Sequence, residues 1–209
     1  MHRLQDYWKT GPLFRSVFPD YMSRDRFLLI LRYLHFTNNK TRFEDDRLYK
    51  IRFVIDYFNN KMANIYYPGK ELSLDESMVL WRGCLIFRQY IKNKRHKYGV
   101  KIYTLTEPNG LVLNCIVYTG KTDDLGGKGH TSKVVLHLME GKENNGHALY
   151  MDNFYNSHDL AKNLIEKGTY VTGTIQSNRI NNPLQVVKPK LAKSETTCKY
   201  SEHHIMIGK

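Results

Sequence analysis

Apolar residues in the first third of the chain fall at helical spacing. Phe27, Leu28, Leu31 and Leu34 follow Ser23, which is placed to cap a helix. Leu48, Ile51, Val54, Ile55, Phe58, Met62 and Ile65 form an i, i+3, i+4, i+7 stripe, predicting a long helix with a core-facing side. Tyr66-Tyr67-Pro68-Gly69 breaks it. Beyond Gly69 the character changes. Residues 72–78 are expected as a short strand, and 79–90 and 99–105 as β-rich runs. Pro108-Asn109-Gly110 is a turn signal, so 99–105 and 111–118 read as a hairpin. Residues 132–140 predict a helix and 148–151 a strand. Ser157 caps a helix carrying Leu160, Leu164 and Ile165 that Gly168 stops, and 170–175 returns as strand. Residues 179–209 are polar, with Pro183, Pro189 and several lysines, and show no period. The order, helical region and then three strands, helix, strand, helix, strand, fits several α+β folds.

Hydrophobic residues make up 41% and charged residues 25% of the 209, a globular balance that rules out disorder throughout. No run reaches 18 apolar residues, so no membrane span is expected, and residues 1–9 lack the apolar stretch of a secretory leader. Three scattered cysteines, Cys84, Cys115 and Cys198, read as reduced thiols of the cytosol or nucleus.

The net charge of +12 and pI near 9.5 change the picture more. They favour polyanionic partners, although a solvated basic surface gives the same numbers. The charge concentrates in Tyr90–Lys101, YIKNKRHKYGVK, where Lys92, Lys94, Arg95, Lys97 and Lys101 lie between and beside Tyr90 and Tyr98. Lysines and arginines neutralise phosphates and tyrosines stack on exposed bases. The other reading is a hairpin edge protected by lysines. KNKRHK also fits the loose pattern of a nuclear localisation signal. One Cys and the adjacent His203-His204 do not make a zinc site.

Two acids follow apolar strand residues: Asp75 in LSLDES and Asp152 in LYMDNF. Acids on neighbouring strands can share hard cations such as Mg²⁺, and such ions can activate water and stabilise a leaving phosphate oxygen. Turn capping by strand-end aspartates explains the same positions.

Residues 75–105, DESMVLWRGCLIFRQYIKNKRHKYGVKIYTL, and 150–179, YMDNFYNSHDLAKNLIEKGTYVTGTIQSNR, strongly resemble the piggyBac family of DNA transposases and the host genes derived from them. The helical run 22–38 resembles the region preceding that family's catalytic core, and the likeness spans about residues 8–180. It implies an α+β chain: a helical N-terminal region at 1–69, an incomplete RNase H-like (DDE/D transposase) core at 70–178, and a polar tail at 179–209 opening an insertion domain. Asp75 and Asp152 fall on the first two catalytic aspartates and would be ligands of Mg²⁺ or Mn²⁺. Double-stranded DNA is the implied partner, with Lys92, Lys94, Arg95, Lys97, Lys101 and Arg179 as contacts. Self-association, association with a full-length transposase, and a nuclear location are implied too.

Departures from the family pattern shape the expected function. The remaining catalytic acids, in a W-x-D-x-x-D-like segment, and the cysteine-rich zinc domain have no match within these 209 residues. Gln176 and Cys84 stand where the family commonly has basic residues. The expectation is a transposon-derived DNA-binding protein, inactive alone. The alternatives are a fragment of an active transposase cutting and joining DNA at TTAA sites, and an unstable relic.

Overall fold

The computed structural model describes residues 3–11, 16–38, 40, 46–92, 97–121, 123 and 125–209. The chain divides into two compact units, Met1–Phe53 and Val54–Lys209.

The first unit has a 3-10 helix at Leu4–Trp8, a short α1 at Phe18–Tyr21, and α2 at Arg24–Tyr33. The expected cap is present: Arg26 N donates to Ser23 Oγ at 3.3 Å. Trp8 packs against the Phe18 and Phe27 rings and donates its indole N–H to Met22 O at 2.8 Å. Farther on, Asp46 accepts from Leu48 N and from the Arg52 guanidinium. The Arg52 hydrogen bond holds the Asp46 carboxyl below its ordinary range. The apolar face of α2 is not a core, for Leu28, Leu31 and Leu34 are exposed. A unit this small buries too little surface to cover a whole stripe.

Helix α3, Arg52–Ile65, carries the long stripe, but its buried side is narrower than the spacing predicts. Ile55, Phe58 and Met62 are half-buried, whereas Ile51, Val54 and Ile65 are exposed. Asn59 on this helix exchanges two hydrogen bonds with the Cys115 backbone, at 2.9 and 3.0 Å. Its amide satisfies backbone groups that a neighbouring strand would otherwise pair.

The second unit is built on a mixed sheet of β1 (Glu71–Leu80), β2 (Gln89–Tyr90), β3 (Tyr98–Thr106), β4 (Val112–Val117), β5 (Ala148–Met151) and β6 (Tyr170–Gly173). β3 pairs antiparallel with β1 on one side and with β2 and β4 on the other; β5 pairs parallel with β1 and β6 parallel with β5. Helix α4, His130–Met139, lies between β4 and β5 in sequence, and α5, His158–Glu166, between β5 and β6. The predicted order is therefore present. The run 79–90 is the exception: strand continues only to Leu80 and resumes at Gln89–Tyr90. Both helices pack on one sheet face. Leu72, Leu74, Leu105, Leu149, Val134, Leu138 and Leu164 are almost fully buried there, each worth about 1.5–3 kcal/mol of burial. Ser157 caps α5 through Leu160 N at 3.2 Å, and Gly168, with φ of 65°, follows its last turn.

Residues 179–209, where no period predicts structure, fold into α6 (Leu184–Val187) and a hairpin of β7 (Cys198–Tyr200) and β8 (Met206–Gly208). Between β4 and α4, Asp123 accepts from Thr119 Oγ1 at 2.6 Å. Among the described residues no helix is long and apolar enough to cross a membrane.

Glu107, just past β3, ties the start of β1 to the β3–β4 turn. It accepts from Gly69 N at 2.6 Å, Tyr66 Oη at 2.9 Å and Asn109 Nδ2 at 3.2 Å. The Gly69 hydrogen bond, followed by that from Tyr66, holds its carboxyl below the ordinary value of 4.5. A carboxyl lowered on folding stabilises the folded state above its unfolded pKa, and that contribution is lost as pH falls through the folded value. Melting temperature should therefore drop as pH falls below about 4.5. Glu107→Gln should flatten part of the drop, with Asp46 and Glu143, also held low, supplying the rest. An unchanged pH profile in the variant would contradict this role.

Candidate nucleic-acid site

Asp75 lies within β1, not at its end as the sequence suggests; what ends beside it is β5. The parallel register runs from Glu71↔Ala148 to Leu74↔Met151. The next position on each strand is an aspartate, so Asp75 and Asp152 stand side by side where the pairing stops. Side chains alternate across a strand. Leu72, Leu74, Leu149 and Met151 face the core, so the two aspartates share the opposite face, and both are exposed. Asp152 also serves a turn, its Oδ1 accepting from Phe154 N at 2.9 Å, whereas Asp75, inside a strand, accepts only from the next residue, Glu76 N at 2.7 Å. The turn reading therefore applies to Asp152, and each carboxylate retains further lone pairs for a cation.

The loop after Asp152 is held on several sides. Tyr155 is fully buried and donates its hydroxyl to Glu76 Oε2 at 2.9 Å, linking the loop to β1. Burial first, then the Glu76 charge, pushes the Tyr155 phenol well above its ordinary range. Asn156 Nδ2 donates to Met151 O at 3.3 Å and to Thr174 O at 2.9 Å. Arg179 donates to the carbonyls of Asn153 and Phe154. Behind the loop, Tyr103 sits edge-on to Tyr155 and its hydroxyl meets His130 Nε2 at 2.6 Å. His130 Nδ1 faces Leu125 O, so Nδ1 carries the proton and Nε2 accepts from Tyr103.

The basic residues scatter over several environments. Lys94 and Arg95 lie outside the described residues. Lys92 and Lys97 are exposed at the β2–β3 hairpin. There Tyr90 and Tyr98 pack on one another, centroids 4.8 Å apart, and Arg88 lies over the Tyr98 ring. One face of each tyrosine is therefore already covered. Lys101 departs from the expectation of a phosphate contact. It is only 9% exposed, its ammonium over the Tyr103 and Phe154 rings at 4.6 and 4.5 Å. The side chain alternates inward with Tyr103, which sets it behind the acidic edge. Arg179 is half-buried and braces the Asp152 loop.

Glu76, Tyr155, Asn156 and Gly173 were not legible as site residues. The available signal was strand parity: Glu76 falls on the same face as Leu72 and Leu74, an acid where an apolar residue is expected.

The whole of residues 1–209 matches a family model described as Transposase IS4. The chain belongs to this family, in its piggyBac-type branch. It is 26% identical over 221 aligned residues to human PiggyBac transposable element-derived protein 2, covering 98% of this chain and 36% of that protein. It is 28% identical to human PiggyBac transposable element-derived protein 3, over 78% of this chain and 29% of that one. A piggyBac transposase in a synaptic complex with hairpin DNA, solved by cryo-EM, superposes with a TM-score of 0.83 at 27% identity, covering 96% of this chain and 43% of that one. This piggyBac-related chain thus has the RNase H-like transposase fold, and it spans about a third of the curated relatives.

The donor set suits one kind of ion. Among the described residues no group of three or more His, Cys, Asp or Glu converges. Two adjacent carboxylates fit Mg²⁺ or Mn²⁺, which keep several waters and take one or two carboxylates alongside substrate phosphates.

Proposed function

We propose that this piggyBac-related chain binds DNA through its basic hairpin and acidic edge, and that the 209 residues do not by themselves cut or join strands. The observation that carries this reading is the register that sets Asp75 beside Asp152 below an overhanging, lysine-tipped β1–β3 ribbon. From Asp75 to Leu80 the overhang is about 17 Å at about 3.4 Å per residue. Duplex DNA carries one charge per about 1.7 Å, so about ten phosphate charges span that length. Lys92 and Lys97 would meet phosphates at the tip, and Asp75 and Asp152 would hold a divalent cation at the base. A bound cation would polarise a phosphodiester oxygen. Two carboxylates are a partial set for strand transfer, since losing one member of a catalytic unit can cost nearly all its rate.

The test is duplex binding by anisotropy across a salt series. Binding should weaken steeply with salt, and Lys92→Gln with Lys97→Gln should lower the log–log slope by about 2. Salt-independent binding, or an unchanged slope, would overturn the hairpin contact. In Mg²⁺ or Mn²⁺ the chain should nick supercoiled DNA no faster than Asp75→Ala; nicking lost on that substitution would refute the inactive reading.

A second reading, that the 209 residues belong to a longer, active transposase, is favoured by the share of each relative covered, 36% and 43%. The intact mass of the endogenous protein discriminates: 24.6 kDa for this chain, or well above it for the longer protein. We further propose a nuclear location, supported by the KNKRHK run and the DNA reading.

A further inference from the structure

Resting on the DNA reading above, we propose that the α6–β7–β8 module is a landing surface for an unpaired DNA strand on its way to the Asp75–Asp152 edge. Residues 179–209 hold six cations against two carboxylates, Glu195 and Glu202. Two of the cations build the module. Lys209 Nζ donates to Val187 O and Pro189 O at 3.2 and 2.9 Å, and Lys199 Nζ donates to Gln185 Oε1 at 2.8 Å. Those bonds fasten the hairpin to α6. Lys188, Lys190 and Lys193 then lie exposed on the segment beside it.

The hairpin has an inner and an outer face. Lys199 and Ile207 are register partners, and Ile207 is buried. Tyr200 and Met206, the next pair, alternate to the outer face and are 66% and 57% exposed. An exposed aromatic ring on a lysine-rich module is an arrangement that grips a single strand: bases stack and cations follow the phosphates. In a duplex the bases already stack on each other, so an isolated ring gains little there.

The surface leads somewhere. A groove of about 310 Å³ separates β8 from the α5–β6 edge, lined by Met206 and Gly208 on one side and Asn156, Ser157 and Thr174 on the other. Asn156 accompanies Asp152 in the same loop, four residues on. Thr174 follows Gly173, the register partner of Met151, so the groove ends next to the position of Asp152; the proposed path runs from Tyr200 past Met206 along it. The volume is at the lower end for ligand pockets and suits one nucleotide at a time.

The experiment measures binding of the 209-residue chain to fluorescein-labelled oligothymidylate of 20 nucleotides and to a duplex of equal length. Tyr200→Ala should weaken the single strand by about five- to a hundredfold, leave the duplex unchanged, and be rescued by Tyr200→Phe. Lys188→Gln, Lys190→Gln and Lys193→Gln together should lower the single-strand salt slope by about 2. All three positions and Tyr200 are exposed, so the variants should melt like the parent. If the duplex binds and its slope responds to Lys92 and Lys97, but neither Tyr200→Ala nor the triple variant affects the single strand, this proposal falls alone. If the parent binds neither nucleic acid, the DNA reading falls with it.

Discussion

Replacing Gly173 with alanine is expected to destabilise the second unit by about 3 kcal/mol or more. Gly173 ends β6 in register with Met151, directly before Asp152. A Cβ there would lie 1.8 Å from Met151 O and 2.6 Å from Asn156 Nδ2, and the backbone has φ of +157°. The nearest obstacle is a backbone carbonyl, which no rotamer change can move. Relief requires β6 to pull away from β5, and that also pulls at the Asn156 bonds to Met151 O and Thr174 O. Strain and overpacking therefore act on the elements that carry the second aspartate. Urea denaturation measures the loss as a lower midpoint. A change under about 0.5 kcal/mol, within the range of ordinary surface substitutions, would show that β6 sits farther from β5 than described.

Tyr155→Ala is expected to cost about 3–5 kcal/mol, and Tyr155→Phe about 1–3 kcal/mol. The ring is fully buried, edge-on to Tyr103 and Phe154 with centroids 6.1 and 5.0 Å away. Alanine leaves a cavity within the buried core cluster. Phenylalanine keeps the ring but takes one donor from the Glu76 carboxylate. Comparing the pair separates packing from hydrogen bonding. A phenylalanine variant as stable as the parent would mean that the Tyr155–Glu76 bond contributes nothing net, and that Tyr155 holds the loop by packing alone.

The sequence carried the second unit well because its signals are local. The Pro108-Asn109-Gly110 turn, the Ser157 cap and the Gly168 stop each act within a few residues, and α5 and the β3–β4 hairpin follow from them. Periodicity told less about burial. Ile51, Val54 and Ile65 keep helical spacing in α3 yet stay exposed, because spacing shows that a helix has an apolar side, not what covers it. Residues 81–88 are apolar enough for strand, but pairing ends with Trp81 N donating to Tyr98 O at 3.5 Å, and 198–208 are polar enough for coil but pair with each other. The lysine-rich neighbours of Lys101 suggest a surface cation, but strand parity with Tyr103 decides its direction. Asp75 and Asp152 were legible as candidates, while their adjacency depends on a parallel register between segments about 75 residues apart.

The overhang of β1 beyond β5 has a mechanical consequence. Past Asp75 the ribbon loses β5 but is still held: Glu76 accepts from Tyr155, Lys101 lies over Phe154, and β4 pairs with β3 as far as Ile102. Only the end beyond Met78, where β3 passes from β4 to β2, projects past these ties. A load taken up by the lysines at that end meets Lys101 and Glu76 before it reaches Asp75. Grip at the tip is thereby separated from alignment of Asp75 and Asp152 at the base.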